Sequence, residues 1–401
     1  MERRAKQMVR ARPRVALIMT TWHESSHADV IGRRLLDGYD YLGVRTMARV
    51  EVVSAYLEQL GVRHPNPRPD VGVEVLDRHG IPRFSTVAEA LGLGGPGLAV
   101  DGVIIVGEHG DYELNEFGQK LYPRRRLFDA AVSTMIAAGR FVPVFVDKHL
   151  AWSTPDAIAM YVTAGRLGIP LAAGSSAPVA VREPVGADWP RDAVMTDCLA
   201  VGYGEIEAYG FHALEAAQCI AERRAGGESG VASVSALGGD AARAAVADGR
   251  VDPDLFARAL SVVNLDGDQS RQAAQQVKAV FWVEHSDGLR ETVVMTDAVS
   301  DFLVAARGPR DELAIRMVMG GEQPSFYPHF GWLVRQIESL MMNGAAPYPV
   351  ERTLLTGGIL DAAMQSLSKP GKRITPELAI SYRVPDGITD TGFGMAASAS
   401  I

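Results

Sequence analysis

Between Arg14 and Ser175 the chain alternates short apolar runs with amphipathic stretches. Arg14-Val-Ala-Leu-Ile-Met19, Val50–Tyr56, Val100–Val106, Phe141–Val146 and Ile169–Ala173 are rich in β-branched residues and lack a polar alternation, the pattern of strands buried on both faces. The stretches between them have helical spacing. One helix follows the loop Thr20–Ser26 and runs through Leu36. Another covers Thr86–Leu91, capped by Ser85 or Thr86, and a third covers Leu127–Ala138 with one apolar face. A fourth covers Asp156–Leu167, with Thr154 as N-cap, Pro155 in the first turn and Gly168 as the stop. Val71–Leu76 is apolar and Arg83-Phe-Ser85 reads as a short strand. Strand alternating with helix predicts a doubly wound parallel sheet.

After about Ala173 the texture changes. Glu205–Arg223 reads as a helix closed by Gly226, Gly227 and Gly230, and Val231–Leu237 as a strand. Ala279–His285 and Leu289–Thr296 flank Ser286-Asp-Gly288, a hairpin turn signal. Phe302–Ala306 continues the strands, Phe330–Met342 and Val350–Leu367 are helical, and Ala241–Asp254 reads as a polar surface helix. The expected class is α/β. A basic, disordered tail (residues 1–13) precedes a Rossmann-like domain (14–175). An α+β domain on an open, mainly antiparallel sheet follows (176–385), its last helix returning to the first domain, and then a tail (386–401).

A chain of 401 residues is long for one core, in keeping with two domains. Net charge is −8, which argues against nucleic-acid or anionic-membrane partners. Cys198 and Cys219 are the sole cysteines, so no disulfide framework is implied and a reducing, cytoplasmic setting is expected. The basic start lacks the apolar run of a signal peptide, and no apolar stretch is long enough to cross a bilayer.

Several segments in this order resemble the Gfo/Idh/MocA (glucose-fructose oxidoreductase-like) family over nearly the whole chain. Asp147-Lys148-His149 falls where that family has Glu-Lys-Pro, after the same strand and before the same helix. Tyr209-Gly-Phe-His212-Ala-Leu-Glu is similar to its segment with the catalytic histidine. Gly226–Val231 resembles the link into its open sheet, and Gly344–Gly371 its closing segment. The resemblance implies catalytic roles for Lys148 and His212, and an oligomer, dimer or tetramer, built on the outer face of the second sheet. Gly107–Tyr112 and Asn115–Arg124 look like a divergent branch.

The family's dinucleotide determinants are absent. Met19, Thr21 and Glu24 fall on its glycine positions, where a Cβ blocks the pyrophosphate. The acid closing the second strand falls at Leu57, with Glu58 one position off, and the aspartate before the catalytic histidine falls at Ala208, beside Glu207. Thr20 and Thr21 offer hydroxyls to a phosphate in their place.

Ligands of open parallel sheets bind at the carboxyl ends of the strands. That rim receives Thr20, Thr21, Trp22, His23 and His27 from the first strand, Glu108, His109, Asp111 and Tyr112 from the fourth, and Asp147, Lys148 and His149 from the fifth. Imidazole mixed with carboxylate suits Zn²⁺. The expected ligands are Glu108, His149 and His212, with His23 or His109 as a fourth. Lys148 is the expected oxyanion stabiliser or acid/base, with Asp147 and Tyr112 as further catalytic groups. The leading expectation is a non-redox, metal-dependent hydrolase or lyase of a small polar compound. The alternatives are an NAD(P)-dependent oxidoreductase of a sugar- or polyol-like substrate with an altered cofactor loop, and an inactive binding protein.

Overall fold

The computed structural model describes residues 11–41, 43–62, 68–263, 272–320 and 327–385. His64 and most of both expected tails lie outside these. The first sheet is built from β1 (Arg14–Met19), α1 (His27–Asp37), a small hairpin of β2 (Tyr39–Tyr41) and β3 (Val44–Thr46), and β4 (Glu51–Leu57). It continues through α2 (Gly72–Arg78), β5 (Arg83–Phe84), α3 (Val87–Gly92), β6 (Gly102–Val106), α4 (Arg124–Ala138), β7 (Val144–Asp147), α5 (Thr154–Leu167) and β8 (Leu171–Gly174). Its strands lie in the order β5-β4-β1-β6-β7-β8, all parallel, so the switch of direction falls between β1 and β6.

Both faces are covered, which explains the unbroken apolar runs. Val15, Leu17, Met19, Ile104, Val106 and Phe145 face α1 and α2, while Ala16, Ile18, Val103, Ile105, Val144 and Val146 face α3, α4 and α5. The apolar Val71–Leu76 stretch is the start of α2, not a strand. The N-cap of α5 is Ser153, whose hydroxyl accepts from the Asp156 N–H, and Thr154 is its first helical residue.

The second sheet comprises β9 (Val181–Glu183), β10 (Asp197–Gly202), β11 (Val231–Gly238), β12 (Val277–His285), β13 (Arg290–Thr296), β14 (Phe302–Arg307), β15 (Glu312–Val318) and β16 (Arg373–Ile374). Its 8-stranded order is β16-β11-β12-β13-β10-β14-β15-β9, antiparallel except for β10 beside β13. Its helices are α6 (Ile206–Ala221), α7 (Gly239–Ala247), α8 (Pro253–Leu260), α9 (His329–Asn343) and α10 (Glu351–Ser368).

Two placements, those of α7–α8 and of α9, differ from the sequence reading. The expected polar helix over Ala241–Asp254 is two helices, α7 and α8, whose Ala242, Leu255, Phe256 and Ala259 cover Leu199, Val201, Val280, Val294, Leu303 and Ala305 on the outer face of the second sheet. Those sheet residues are fully buried within one chain. Helix α9 packs Phe330, Leu333, Val334 and Ile337 into the core of the first sheet. Helix α10 lies between the two sheets: Thr353 Oγ1 donates to the Ala173 carbonyl at 2.9 Å, and Asp361 accepts from the Thr154 N–H at 2.8 Å. No helix among the described residues is long and apolar enough to cross a membrane.

Candidate active site at the strand tips

Strand β7 ends at Asp147, and the chain turns sharply through Lys148, which has φ +64. A left-handed conformation costs a side-chain-bearing residue about 1–3 kcal/mol and concentrates at functional sites. The turn is held by the Lys148 N–H donating to the Gly174 carbonyl at 3.1 Å. It aims the ammonium across the rim at Glu108, at the tip of β6, with which it forms a buried ion pair. His27, at the first position of α1, brings Nδ1 to 2.7 Å from Asp147 Oδ2 and 3.4 Å from Glu108 Oε2. The result is an ammonium, two carboxylates and an imidazole on three adjacent strand ends.

Burial opposes charge here, and the pairing wins. Desolvation pulls the Lys148 ammonium down, but Glu108 and Asp147 outweigh it and its pKa lies above the ordinary value. Desolvation pushes Glu108 up, but His27, Lys148 and His109 together hold it well below the carboxylate range. Lys148 is therefore an acid held protonated, not a free base.

Other predicted residues are near but face elsewhere. His149 is turned towards Arg124, whose Nη1 lies 3.1 Å from its Nδ1; burial, then Arg124 and Lys148, keep the imidazole neutral. His212, on α6, sets Nδ1 2.6 Å from the Ser175 hydroxyl and is also held neutral, by burial and then by Lys148 and His27. His23 pairs through its backbone with Asp70, its ring edge-on to His109 with centroids 6.5 Å apart. His109 Nε2 reaches Glu108 Oε1 at 3.5 Å. The expected metal set of Glu108, His149, His212 and His23 or His109 does not converge. The one group of ligand atoms close enough for a cation, among the described residues, is His27, Glu108 and Asp147. Tyr112 is not at the catalytic tip: its hydroxyl donates to Glu58 at 2.8 Å, beyond the end of β4.

In a dinucleotide-binding domain the diphosphate sits against the loop between β1 and α1. A helix N-terminus serves such a group through free N–H groups and its dipole. Here Ser26 caps α1, and the buried Asp29 carboxylate accepts from the Ser25 N–H and from Trp22 Nε1, each at 2.9 Å. The Thr20 and Glu24 N–H groups go to the Val106 and Pro69 carbonyls. Trp22 is fully buried on Gly32 and Gly72, where an added Cβ would meet its atoms at 2.4 and 2.6 Å. Thr20 Oγ1 donates to the Glu108 carbonyl at 2.5 Å, and the Thr21 hydroxyl, though unpartnered among the described residues, is buried within the loop. At the ribose end Glu58 is held by Arg126 at 2.6 Å through both oxygens. The chain's own carboxylate and indole fill the seat, and a diphosphate does not fit it.

Sequence reasoning missed three features. His27 was placed on the rim but left out of the ligand set; its position at N1 of α1, facing the neighbouring strand tip, is the signal. Arg124 was not among the expected site residues, yet it stands at the rim and is 1% exposed. Glu58 was weighed as a displaced ribose acid, with no sign of its arginine partner.

No family model matches the chain, and no curated protein does. Solved structures do. GenD2 from gentamicin A biosynthesis, in complex with NAD, shares 16% identity at a TM-score of 0.57, covering 93% of this chain and 99% of that one. Apo scyllo-inositol dehydrogenase from Lactobacillus casei shares 10% identity at 0.55, covering 92% and 99%. An oxidoreductase from Agrobacterium radiobacter, in complex with NAD+, L-tartaric acid and magnesium, shares 16% identity at 0.52, covering 90% and 98%. The chain has the fold of these oxidoreductases over nearly its full length, the architecture that the Gfo/Idh/MocA resemblance implies. The expected metal-dependent hydrolase or lyase does not stand. The similar solved structures include a dehydrogenase, an oxidoreductase and two NAD complexes, and the imidazoles meant to hold the metal are turned to separate partners.

Proposed function

We propose that the chain is an oxidoreductase of a small sugar- or polyol-like compound, bound in the crevice over Lys148. The observation that supports it best is the buried Lys148–Glu108 pair on a left-handed strand tip, on the fold that dehydrogenases of inositols use. In this reading the Lys148 ammonium gives a proton to a substrate oxygen as it becomes a hydroxyl. Glu108 keeps the ammonium charged and oriented. His27, whose side chain is 17% exposed, connects the pair and Asp147 to the solvent side. His212, neutral and braced by Ser175, forms a hydrogen bond with a neighbouring substrate hydroxyl at its other ring nitrogen and orients it. The redox partner this class calls for is a nicotinamide dinucleotide, which supplies or accepts hydride. Its diphosphate has no seat in the β1–α1 loop, so only the proton steps are assigned.

The test is a thermal-shift and initial-rate screen with NAD+, NADP+, NADH and NADPH against inositols, aldoses and alditols. The expected result is a stabilising shift with one cofactor and turnover that Lys148→Met abolishes. No shift and no turnover with any pair overturns the proposal.

A further inference from the structure

Strand β8 ends at Gly174, whose φ of +139 turns the chain into Ser175. A Cβ on Gly174 would stand 2.9 Å from Thr353 Oγ1 and 3.0 Å from Glu215 Oε2, so the turn is packed tightly against α10 and α6. Glu215 holds it in place. Its Oε2 accepts from the Ser175 N–H at 3.2 Å, and its Oε1 accepts from the Thr353 and Thr356 hydroxyls at 2.9 and 2.8 Å. Ser175 is 3% exposed. Its hydroxyl accepts from the Ala177 N–H at 2.9 Å and lies 2.6 Å from His212 Nδ1.

These bonds decide which ring nitrogen of His212 carries hydrogen. A hydroxyl has one hydrogen to give, and among the described residues His212 Nδ1 is the one group placed to take it from Ser175. An imidazole that donated from Nδ1 instead would leave a buried O–H without an acceptor, which is penalised more heavily than a lost hydrogen bond. The Ser175 hydroxyl therefore donates and Nδ1 accepts. The ring is held neutral, so its single hydrogen sits on Nε2. Nε2 has no partner among the described residues and, unlike Nδ1 of His329, is not sealed from solvent. The ring centroid is 5.9 Å from that of His27, which lies against Glu108, the partner of Lys148.

We propose that Ser175 is a positioning residue that fixes the Nε2–H form of His212, so that His212 meets the substrate as a hydrogen-bond donor and not as a base. The role toward a substrate rests on the functional reading; the form of the ring does not. Two N–H donors then serve the crevice, the Lys148 ammonium and the His212 imidazole. A substrate hydroxyl held by His212 points its oxygen at the ring and turns its own hydrogen away. The one proton transfer that accompanies hydride movement stays with Lys148.

The test is long-range proton–nitrogen NMR correlation of the ring nitrogens, in the full chain with isotope-labelled histidine at neutral pH. His212 is identified by the signal that His212→Gln removes. A single neutral form with hydrogen on Nε2 is expected. Ser175→Ala should raise the share of the Nδ1–H form relative to the Nε2–H form roughly fivefold to tenfold, the equivalent of one hydrogen bond. Ser175→Thr, which keeps the hydroxyl, should stay near wild type. Circular dichroism and thermal melting establish that each variant is folded; a serine with a merely structural role would change the melting point and leave the ratio alone. Hydrogen on Nδ1 in the wild type, or on both nitrogens, overturns the proposal, as does an unchanged ratio in folded Ser175→Ala. If neither serine variant folds, the wild-type spectrum decides. No nicotinamide or substrate is needed. An Nε2–H ring in a protein with no NAD(P) reaction therefore removes the functional reading alone, and NAD(P)-linked turnover by a protein whose His212 carries Nδ1–H removes this inference alone.

Discussion

Lys148→Met isolates the energetics of the strand-tip pair. The substitution keeps the length of the side chain and removes the ammonium, so Glu108, 7% exposed, loses the partner that makes its charge tolerable. His27 does not replace it, since Nδ1 is closer to Asp147, at 2.7 Å, than to Glu108, at 3.4 Å. Breaking a buried pair from one side costs about 3–5 kcal/mol. Glu108 can escape by binding a proton, and this caps the loss. Moving a carboxyl of ordinary pKa 4.5 to the neutral form at pH 7 costs about 3.4 kcal/mol, and at pH 5 about 0.7 kcal/mol. The sign follows directly. In the variant the folded state holds a proton that the unfolded state releases above about pH 4.5, so the deficit grows as pH rises. Urea unfolding of wild type, Lys148→Met, Glu108→Gln and the double variant at pH 5 and pH 7 gives the cycle. The expected loss for Lys148→Met is about 3 kcal/mol at pH 7 and under about 1 kcal/mol at pH 5, with most of it recovered in the double variant. A loss below about 1 kcal/mol at both pH values, or one that does not change with pH, would refute the claim that this pair is dry and charged.

His285 is fully enclosed between Glu228, at 3.0 Å, and Glu291, at 3.3 Å. Burial opposes its charge, but Glu228 and Glu291 outweigh burial and raise its pKa to about 9 from an ordinary 6.5. It therefore contributes stability, about 3 kcal/mol, that is present below pH 6.5 and lost as pH rises through about 9. Urea midpoints from pH 6 to pH 10 should show that decline in wild type, and His285→Gln should flatten it. Gly32→Ala drives a methyl into the Trp22 ring and should cost about 1–3 kcal/mol by overpacking, read from the thermal midpoint. An unchanged midpoint would mean that the indole is not wedged against α1. Arg124→Met removes a buried cation with no ion-pair partner and should leave the ligand-free protein as stable as wild type or more so. A loss of more than about 2 kcal/mol would show a partner within the chain.

The first domain was legible because its strands are buried on both faces. Val100–Val106 and Phe141–Val146 carry no polar alternation, so each run announces a central parallel strand without reference to the rest of the chain. The strand-tip location of Asp147, Lys148 and Glu108 follows from those runs, since whatever ends a parallel strand lies on the ligand-binding rim. The second domain was less legible. β10 and β15 were not read as strands, and β10 pairs in parallel with a strand some ninety residues away, so no hairpin signal marks its place. The cover that α7 and α8 place on that sheet was hidden too, because alanine-rich segments look polar until a facing surface is known.

The sequence by itself determined which groups stand at the rim, because strand ends are set by local periodicity and the side chains there are fixed by their position in the chain. It also determined that the glycines of a diphosphate cradle are missing. Only the tertiary structure decided which of those groups meet. Lys148 reaches Glu108, and His27 reaches Asp147 across 120 positions of sequence, while His149 and His212 turn to Arg124 and Ser175. It alone showed that Asp29 and Trp22 fill the vacated cradle. The physical reason is the same in each case. Charge pairing, desolvation and close packing act over a few ångströms between groups far apart along the chain, and no pattern read along the chain records those distances.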